Sequence, residues 1–474
     1  MQTKALTMTR LLSIGMVLMT ATTGTIMAQK QTPPEGGTPK DFVLPESITF
    51  SLENGLQATL IPYGALPKVT VRAVIRAGNI NEGPNEVWLA DLLGDFLEEG
   101  TTTKDARTIA EEAAGMGGEI GVSVSEDQTT VSSSVLSEFG PEIVALIADV
   151  VRNPALPESE LQRLRNDRIR ELSIQMADPN SIALQRFRSL LYPDHPYGRL
   201  FPTEEMLKSY TIGQVRQFHQ ANIGAARTHI YVAGKFDARE MENAIRKAFS
   251  DWTRGSEPLV MVPSPRSARE IHILNRPGAP QSTVYLGLPT IDPSKPDYRP
   301  LLVMNALLGG SFMSRITSNI REDKGYTYSP SSSVSSRYRD AYWQQFASIT
   351  TDVTGAALHE IFFEIKRLQD EAPGEDELKG IQNYLAGIFV LQNSSPGGLI
   401  NLLSLIHLHG LPASYLSEYV RTIYAVTPQD VQRLAREYLD TNNMMLVIAG
   451  DRKTLEKQVA PFGRIVPSQA DKNP

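Results

Sequence analysis

The chain of 474 residues contains no cysteine. That excludes disulfides, thiolate zinc sites, iron–sulfur clusters and thiol catalysis, and it suits an oxidising compartment. Histidine is scarce, seven in all, so any imidazole metal site has to be assembled from those. There is no basic excess. The 46 Lys and Arg stand against 53 Asp and Glu, a formal charge of −7, which argues against nucleic acid as a partner. No stretch reaches the roughly 18 apolar residues of a membrane span. Three catalytic signatures are also missing. There is no Gly-Lys-Ser/Thr phosphate loop, no Gly-x-Ser-x-Gly elbow, and no His-x-x-Glu-His or His-x-x-x-His to aim two imidazoles from one helix face at a metal.

What remains is an ordinary globular composition, 41% hydrophobic and 21% charged, long enough for two to four domains of about 100–200 residues. Residues 1–28 read as a secretory signal. Lys4 and Arg10 precede an apolar run at 11–19, small polar residues follow, and Ala28 is the candidate cleavage point. A periplasmic or secreted location is the expectation, with an organellar transit peptide as runner-up. Residues 29–44, holding Pro33-Pro34 and Gly36-Gly37, read as a flexible lead-in.

The body reads as an internal duplication. Residues 210–234, YTIGQVRQFHQANIGAARTHIYVAG, and 424–450, YAVTPQDVQRLAREYLDTNNMMLVIAG, both run from Tyr through a Thr-initiated helix into an apolar strand ending in Ala-Gly, at an offset of 216. An upstream pair agrees: PALPESEL and APGEDEL align Leu161 with Leu378 at an offset of 217. A period this long means two like halves, not a solenoid. The boundaries follow as 45–255 and 269–466, with Pro258, Pro263 and Pro265 marking a linker at 256–268 and a tail at 467–474. Val69–Ile75 and Thr129–Val135 alternate as strands, while Leu89, Leu92, Leu93, Phe96 and Leu97 have helical spacing. Strands come in pairs and helices in pairs, which predicts α+β halves, each a largely antiparallel sheet with helices packed on one face.

Most chemistry-bearing residues have plain readings. Gly115, Gly117, Gly118 and Gly121 follow a helix and precede a strand, the reverse of a dinucleotide loop, and read as a turn where two backbones approach. His407 and His409 diverge on a helix and read as structural, although on a strand or loop they would chelate. His359 reads as a surface residue and His195, in YPDHPYG, as a loop hydrogen-bonder. Asp91 and Asp95 share a helix face with Glu98 and Glu99 nearby, either a solvated face or an acidic wall for a basic substrate. The most informative segment is GGSFMSRITSNIREDKGYTYS, 309–329. Phe312, Ile316 and Ile320 recur every four residues, as on one helix face. Lys324 and Gly325 suit a helix end, and Tyr326 to Tyr328 are expected to start a strand. Arg321 and Tyr328 should therefore lie close together, two donors able to grip a carbonyl or oxyanion.

That segment, YPDHPYGR at 192–199 and the glycine-rich turn leading to Thr130 together resemble the pitrilysin/insulinase family of zinc metallopeptidases, in its processing-peptidase-like branch, over roughly residues 45–465. The family's zinc helix reads His-x-x-Glu-His shortly before a Gly-Thr. Counted back from Gly100-Thr101, those places hold Asp91, Gly94 and Asp95. The third ligand's place corresponds to Glu171, left stranded. Two aspartates without imidazole are poor zinc ligands, and Gly94 has no group to activate water, so no metal or other cofactor is expected in this chain. Arg321 and Tyr328 do match the family's second half, where such a pair helps hold substrate and polarise the scissile carbonyl. The resemblance thus implies the non-zinc subunit of a two-chain peptidase, inactive alone. Zinc would be on a homologous His-x-x-Glu-His partner, and an extended peptide would be the substrate, adding as a strand to a sheet edge. The alternative is a purely structural subunit of a larger complex.

Overall fold

A computed structural model describes residues 42–467. The signal segment, most of the lead-in and all but the first residue of the tail lie outside the described residues. Two six-stranded sheets organise the fold. The first contains β1 (Ile48–Ser51), β2 (Gln57–Pro62), β3 (Lys68–Ile75), β4 (Gly121–Val124), β5 (Thr129–Leu136) and β6 (Thr228–Gly234), in the order β1-β2-β6-β3-β5-β4. The second contains β7 (Glu270–Asn275), β8 (Gln281–Thr290), β9 (Ser331–Arg337), β10 (Asp340–Thr350), β11 (Met445–Gly450) and β12 (Arg464–Val466), in the order β12-β7-β11-β8-β10-β9. Five strands in each sheet keep one order, which is the duplication in space. The sixth comes from opposite chain ends. β1 joins antiparallel to β2, whereas β12 joins parallel to β7. Among the described residues the only other parallel pairs are β2 with β6 and β7 with β11. Residues 253–268 between the sheets carry no helix or strand.

Local chemistry explains matching elements. Thr211 and Thr427 each start a helix, Ile212–Asn222 and Pro428–Tyr438, with reciprocal capping. The Thr hydroxyl accepts the N–H three residues on, and the side chain of Gln214 or Asp430 accepts the Thr N–H. Alternation then sorts the strands. Val69, Val71, Ala73 and Ile75 of β3 face a core shared with Phe96, Ile147 and Phe249 from that half's own helices. Leu286, Trp343 and Ile448 do the same in the second half.

The opposite face of each sheet is covered by the other half. The Pro179–Leu191 helix of the first half lies on β8 and β11, with Ala183, Phe187 and Leu191 against Tyr285, Tyr342 and Val447. The Pro396–His409 helix of the second half lies on β3 and β6, with Leu399, Ile400, Leu403 and Ile406 against Val74, Tyr231 and Ala233. Each such aliphatic side chain contributes on the order of 1.5–3 kcal/mol relative to exposure. Phe42 and Leu44, at the end of the lead-in, join this second cluster. The YPDHPYGR segment locks the seam. The Tyr192 hydroxyl donates across it to Asp340, and Asp127, which accepts from the Tyr197 hydroxyl of its own half at 2.5 Å, also accepts the Tyr338 N–H of the other at 3.3 Å. Beside them Glu126 pairs with Arg188 of its own half at 2.8 Å and with Arg337 of the other at 3.1 Å. No helix among the described residues is long and apolar enough to cross a membrane.

Candidate functional site

Two arginine-centred clusters occupy the places the sequence singled out. The first lies between the Leu89–Leu97 and Leu161–Ala177 helices. Asp91 and Asp95 are one turn apart on the former, so both carboxylates face the latter. There they meet Arg168, a residue the sequence reading overlooked. Its Nε and Nη2 donate to the two oxygens of Asp95, both at 2.6 Å, and Nη2 also donates to the Asp91 carbonyl at 3.1 Å. Its Nη1 is 3.9 Å from a carboxylate oxygen of Asp91 and 3.9 Å from one of Glu171. The acidic pair is therefore neither a solvated face nor a wall for a basic substrate. It is partly buried around an internal cation. Glu171 is not stranded, because it sits one turn beyond Arg168 and within reach of it. The signal that would have found Arg168 is its i,i+3 spacing to Glu171 on a charged helix.

Hydrogen bonds secure the aspartates further. Asn79 Nδ2 donates to Asp91 at 2.6 Å and to Glu82 at 3.1 Å, and Glu82 also accepts the Ala90 N–H at 2.9 Å. Burial, the largest cause, pushes Glu82 up to about 8, with the Asp91 charge adding to it. Burial also raises Asp91 and Asp95 against the opposing pull of Arg168. Gly94 faces strand β4. A Cβ built there would be 2.9 Å from Val124 Cγ2, so the missing side chain lets helix and strand close together. The outward N–H of Val122 on β4 is taken by Glu98 at 3.2 Å. This donor set does not fit zinc. It offers no imidazole, and Asp95, its best-placed carboxylate, is already held in a bidentate ion pair.

The second cluster lies in the 309–329 segment. The helix there is shorter than expected: an α turn Arg315–Thr317 continues into a π turn Ser318–Asp323. Ile316 and Ile320 are buried as predicted, but Phe312 is not on that face. It precedes the helix and is 63% exposed, because residues 311–313 form a turn leaving another π turn, Ala306–Gly310. Gly325, at φ +64°, ends the helix with its N–H on the Arg321 carbonyl at 3.1 Å, and Ala there would bear the left-handed penalty. Tyr328 does not open a strand. Thr327 makes an isolated bridge to Ile349, and β9 begins only at Ser331, after Pro330.

Arg321 and Tyr328 are nonetheless brought together, by stacking and not side by side. The Arg321 guanidinium lies 4.4 Å from the ring centre of Phe312 and 5.1 Å from that of Tyr328. Glu322 is its one acidic neighbour, 3.3 Å from Nε. Tyr328 is 79% exposed, and its hydroxyl has no hydrogen-bond partner among the described residues. A cleft of about 330 Å³ opens beside Phe312, lined also by Ser311, Met313, Asp376, Ile381 and Tyr384. Arg315, bidentate to Glu377 at 2.7 Å, and Asn319, donating to Glu364 at 2.8 Å, fix the turn from below. Arginine stacked on rings keeps its in-plane N–H groups available for a ligand.

The histidines behave as the sequence suggested. His195 accepts the Tyr197 N–H at 3.2 Å, His407 bonds the Tyr231 hydroxyl at 2.7 Å, His409 is buried, and His359 is on the surface. Among the described residues no group of three or more His, Asp or Glu is arranged to hold a metal.

Two family models match the chain, one in each half. Residues 64–201 match "Insulinase (Peptidase family M16)" and residues 209–385 match "Peptidase M16 inactive domain". An uncharacterized zinc protease of Mycobacterium leprae is 25% identical over 418 residues, spanning 86% of this chain and 93% of that protein. One from Rickettsia bellii is 26% identical over 331 residues, 69% of this chain and 79% of that protein. Among solved structures, a peptidase M16 inactive domain from Pseudomonas fluorescens superposes with a TM-score of 0.78 at 23% identity, over 85% of this chain and 98% of that one. A protease from Helicobacter pylori gives 0.80 at 19% identity, over 86% of this chain and all of that one. The structural likenesses establish the fold, and the sequence matches reach both halves of it. The chain belongs to the pitrilysin/insulinase family.

Proposed function

We propose that this chain is the non-zinc partner subunit of a two-chain zinc metallopeptidase of the periplasm or extracellular space. The single observation that carries the reading is the contrast between the two clusters. The zinc-helix places hold Asp91, Gly94 and Asp95 closed around Arg168, while among the described residues Tyr328 stands exposed with its hydroxyl unbonded and the half-buried Arg321 has Glu322 alone, 3.3 Å from its Nε, as an acidic neighbour. In this reading an extended peptide lies between the subunits. Arg321 and Tyr328 donate to the scissile carbonyl and to the negative charge that develops on it, the role of an oxyanion hole. The metal and the water-activating base belong to the homologous His-x-x-Glu-His partner.

The test is metal analysis of the purified chain, followed by peptide hydrolysis assays of the chain alone and mixed with the His-x-x-Glu-His homologue of the same organism. The expected result is zinc well below one per chain, no hydrolysis alone, and chelator-sensitive hydrolysis on mixing that exceeds the partner's own. About one tightly held zinc per chain, or chelator-sensitive cleavage by the lone chain, overturns the proposal. Stable assembly without any gain in hydrolysis would favour a structural subunit instead.

A further inference from the structure

A cavity of about 290 Å³ lies at one end of the first sheet, where the Pro396–His409 helix crosses it and the 253–268 connection passes. Its lining is unlike that of an ordinary helix–sheet seam: Arg76 at the end of β3, Arg227 just before β6, His229 and Tyr231 on β6, and Ser404 and His407 on the helix. The Arg76 N–H donates to the Arg227 carbonyl at 2.8 Å. The two residues therefore leave adjacent strands at the same level, on the face that meets the helix.

Among the described residues neither guanidinium has a carboxylate within ion-pair distance, although the charge of Glu257 is felt at Arg227. Arg227 donates from Nε to the Ser256 carbonyl at 3.2 Å and from Nη1 to Asn222 Oδ1 at 3.2 Å, both neutral acceptors. Arg76 packs over the Tyr338 ring at 4.9 Å and makes no side-chain hydrogen bond among the described residues. The one acidic residue on the wall, Glu257, is held by Arg254 at 2.6 Å. His229 and His407 are stacked, 4.6 Å apart, and each uses one ring nitrogen, on Thr59 Oγ1 at 2.8 Å and on the Tyr231 hydroxyl at 2.7 Å. Two like charges thus face each other in a partly enclosed space, in a chain whose net charge is −7. That arrangement is unfavourable unless an anion compensates it.

Packing does not require this lining. At the offset of 216 that aligns Ala233-Gly234 with Ala449-Gly450, the places of Arg227, His229 and Tyr231 are taken in the second sheet by Asn443, Met445 and Val447. That sheet is covered by its own crossing helix with apolar contacts. At those three places the same architectural task is met with neutral side chains, and the one arginine–imidazole contact of that seam, Arg186 with His272 at 3.4 Å, lies on the neighbouring strand β7.

We infer that the cavity is a binding site for a small dianionic oxyanion, a phosphate group or a dicarboxylate, held between the Arg76 and Arg227 guanidiniums with hydrogen bonds from Ser404 and the imidazoles. Bidentate N–H contacts from arginine suit both anions. The inference is independent of the proposed peptidase role.

The test is isothermal titration calorimetry of the full chain with sodium phosphate and, separately, sodium malonate, at constant ionic strength set with chloride. Arg76→Gln is the principal variant, since the Arg76 side chain has no hydrogen bond to lose. Arg227→Gln is the second, checked for folding by circular dichroism. Saturable one-to-one binding of at least one anion is expected, weakened at least tenfold in Arg76→Gln. Tighter binding of phosphate identifies a phosphate-bearing ligand, and tighter binding of malonate a dicarboxylate. No saturable heat with either anion, or binding unchanged in Arg76→Gln, overturns the inference.

Discussion

Arg168 and Arg321 sit in the two halves of one duplicated fold and are used in opposite ways. Arg168 is clamped by Asp95 at 2.6 Å on two nitrogens, with Asp91 and Glu171 as further acidic neighbours. Arg321 lies between the faces of Phe312 and Tyr328, with only Glu322 near it. A bidentate ion pair uses the guanidinium's in-plane donors and fixes its position. Stacking fixes the plane but leaves the donors free. The comparison teaches that the same side chain is held by carboxylates in one half and by ring faces in the other, and that the acidic or aromatic neighbours decide which.

The sharpest way to break that comparison is to remove the donors said to be free. In the proposed two-chain enzyme, Tyr328→Phe and Arg321→Ala are expected to lower kcat by about 10²–10³, the usual cost of one oxyanion donor, with assembly unchanged by size-exclusion chromatography. Tyr328→Phe deletes only an exposed hydroxyl, so folding cannot account for its effect. Turnover within about twofold of wild type in both variants, far below that estimate, would make the two clusters equally inert.

The next effect is on stability. Arg168→Gln leaves Asp91 and Asp95 facing each other without a cation, and is expected to cost about 2 kcal/mol in urea denaturation. The pair's partial exposure keeps the cost below that of a fully buried one. Adding Asp95→Asn should recover part of the loss, because it removes the stranded charge. Arg321→Ala, by contrast, should change stability by less than about 0.5 kcal/mol. Equal stability losses for the two arginines would erase the distinction drawn here.

The smallest effect tests the likeness of the halves, not their difference. Thr211→Ala and Thr427→Ala each remove one side of a reciprocal cap and should each cost about 1 kcal/mol. Values that differ by more than about 1 kcal/mol would show that the two halves do not share stability evenly.

Much of the fold was legible because it rests on short-range chemistry. The strand at Val69–Ile75 emerged as β3, Lys68–Ile75, and the helical spacing of Leu89 to Leu97 as a helix with those bounds, since period 2 and period 3.6 are local properties. The segment 309–329 was read less well. Placing Phe312 on the helix extrapolated a four-residue rhythm across Ser311–Ser314, where a turn after a π turn intervenes, and starting a strand at Tyr326 to Tyr328 overlooked Pro330, beyond which β9 begins. Irregular backbone of that kind leaves no periodic trace.

By itself, then, the sequence determined that the chain is a duplication, that the imidazoles and the base of a zinc helix are absent, and that Arg321 and Tyr328 are near neighbours. The duplication follows from two sequence anchors at offsets of 216 and 217, and the other two from residue identity or from spacings of a few residues. Only the tertiary structure decided what fills the degenerate site. Arg168 is 73 residues from Asp95, and nothing in their spacing couples them until two helices pack. Tertiary packing also decided that each half covers the other's sheet, and that Arg76 and Arg227, 151 positions apart, share one cavity whose carboxylate, Glu257, is paired with Arg254. Contacts between residues so far apart are fixed by how whole elements dock, which depends on the summed burial of many side chains and not on any one stretch of sequence.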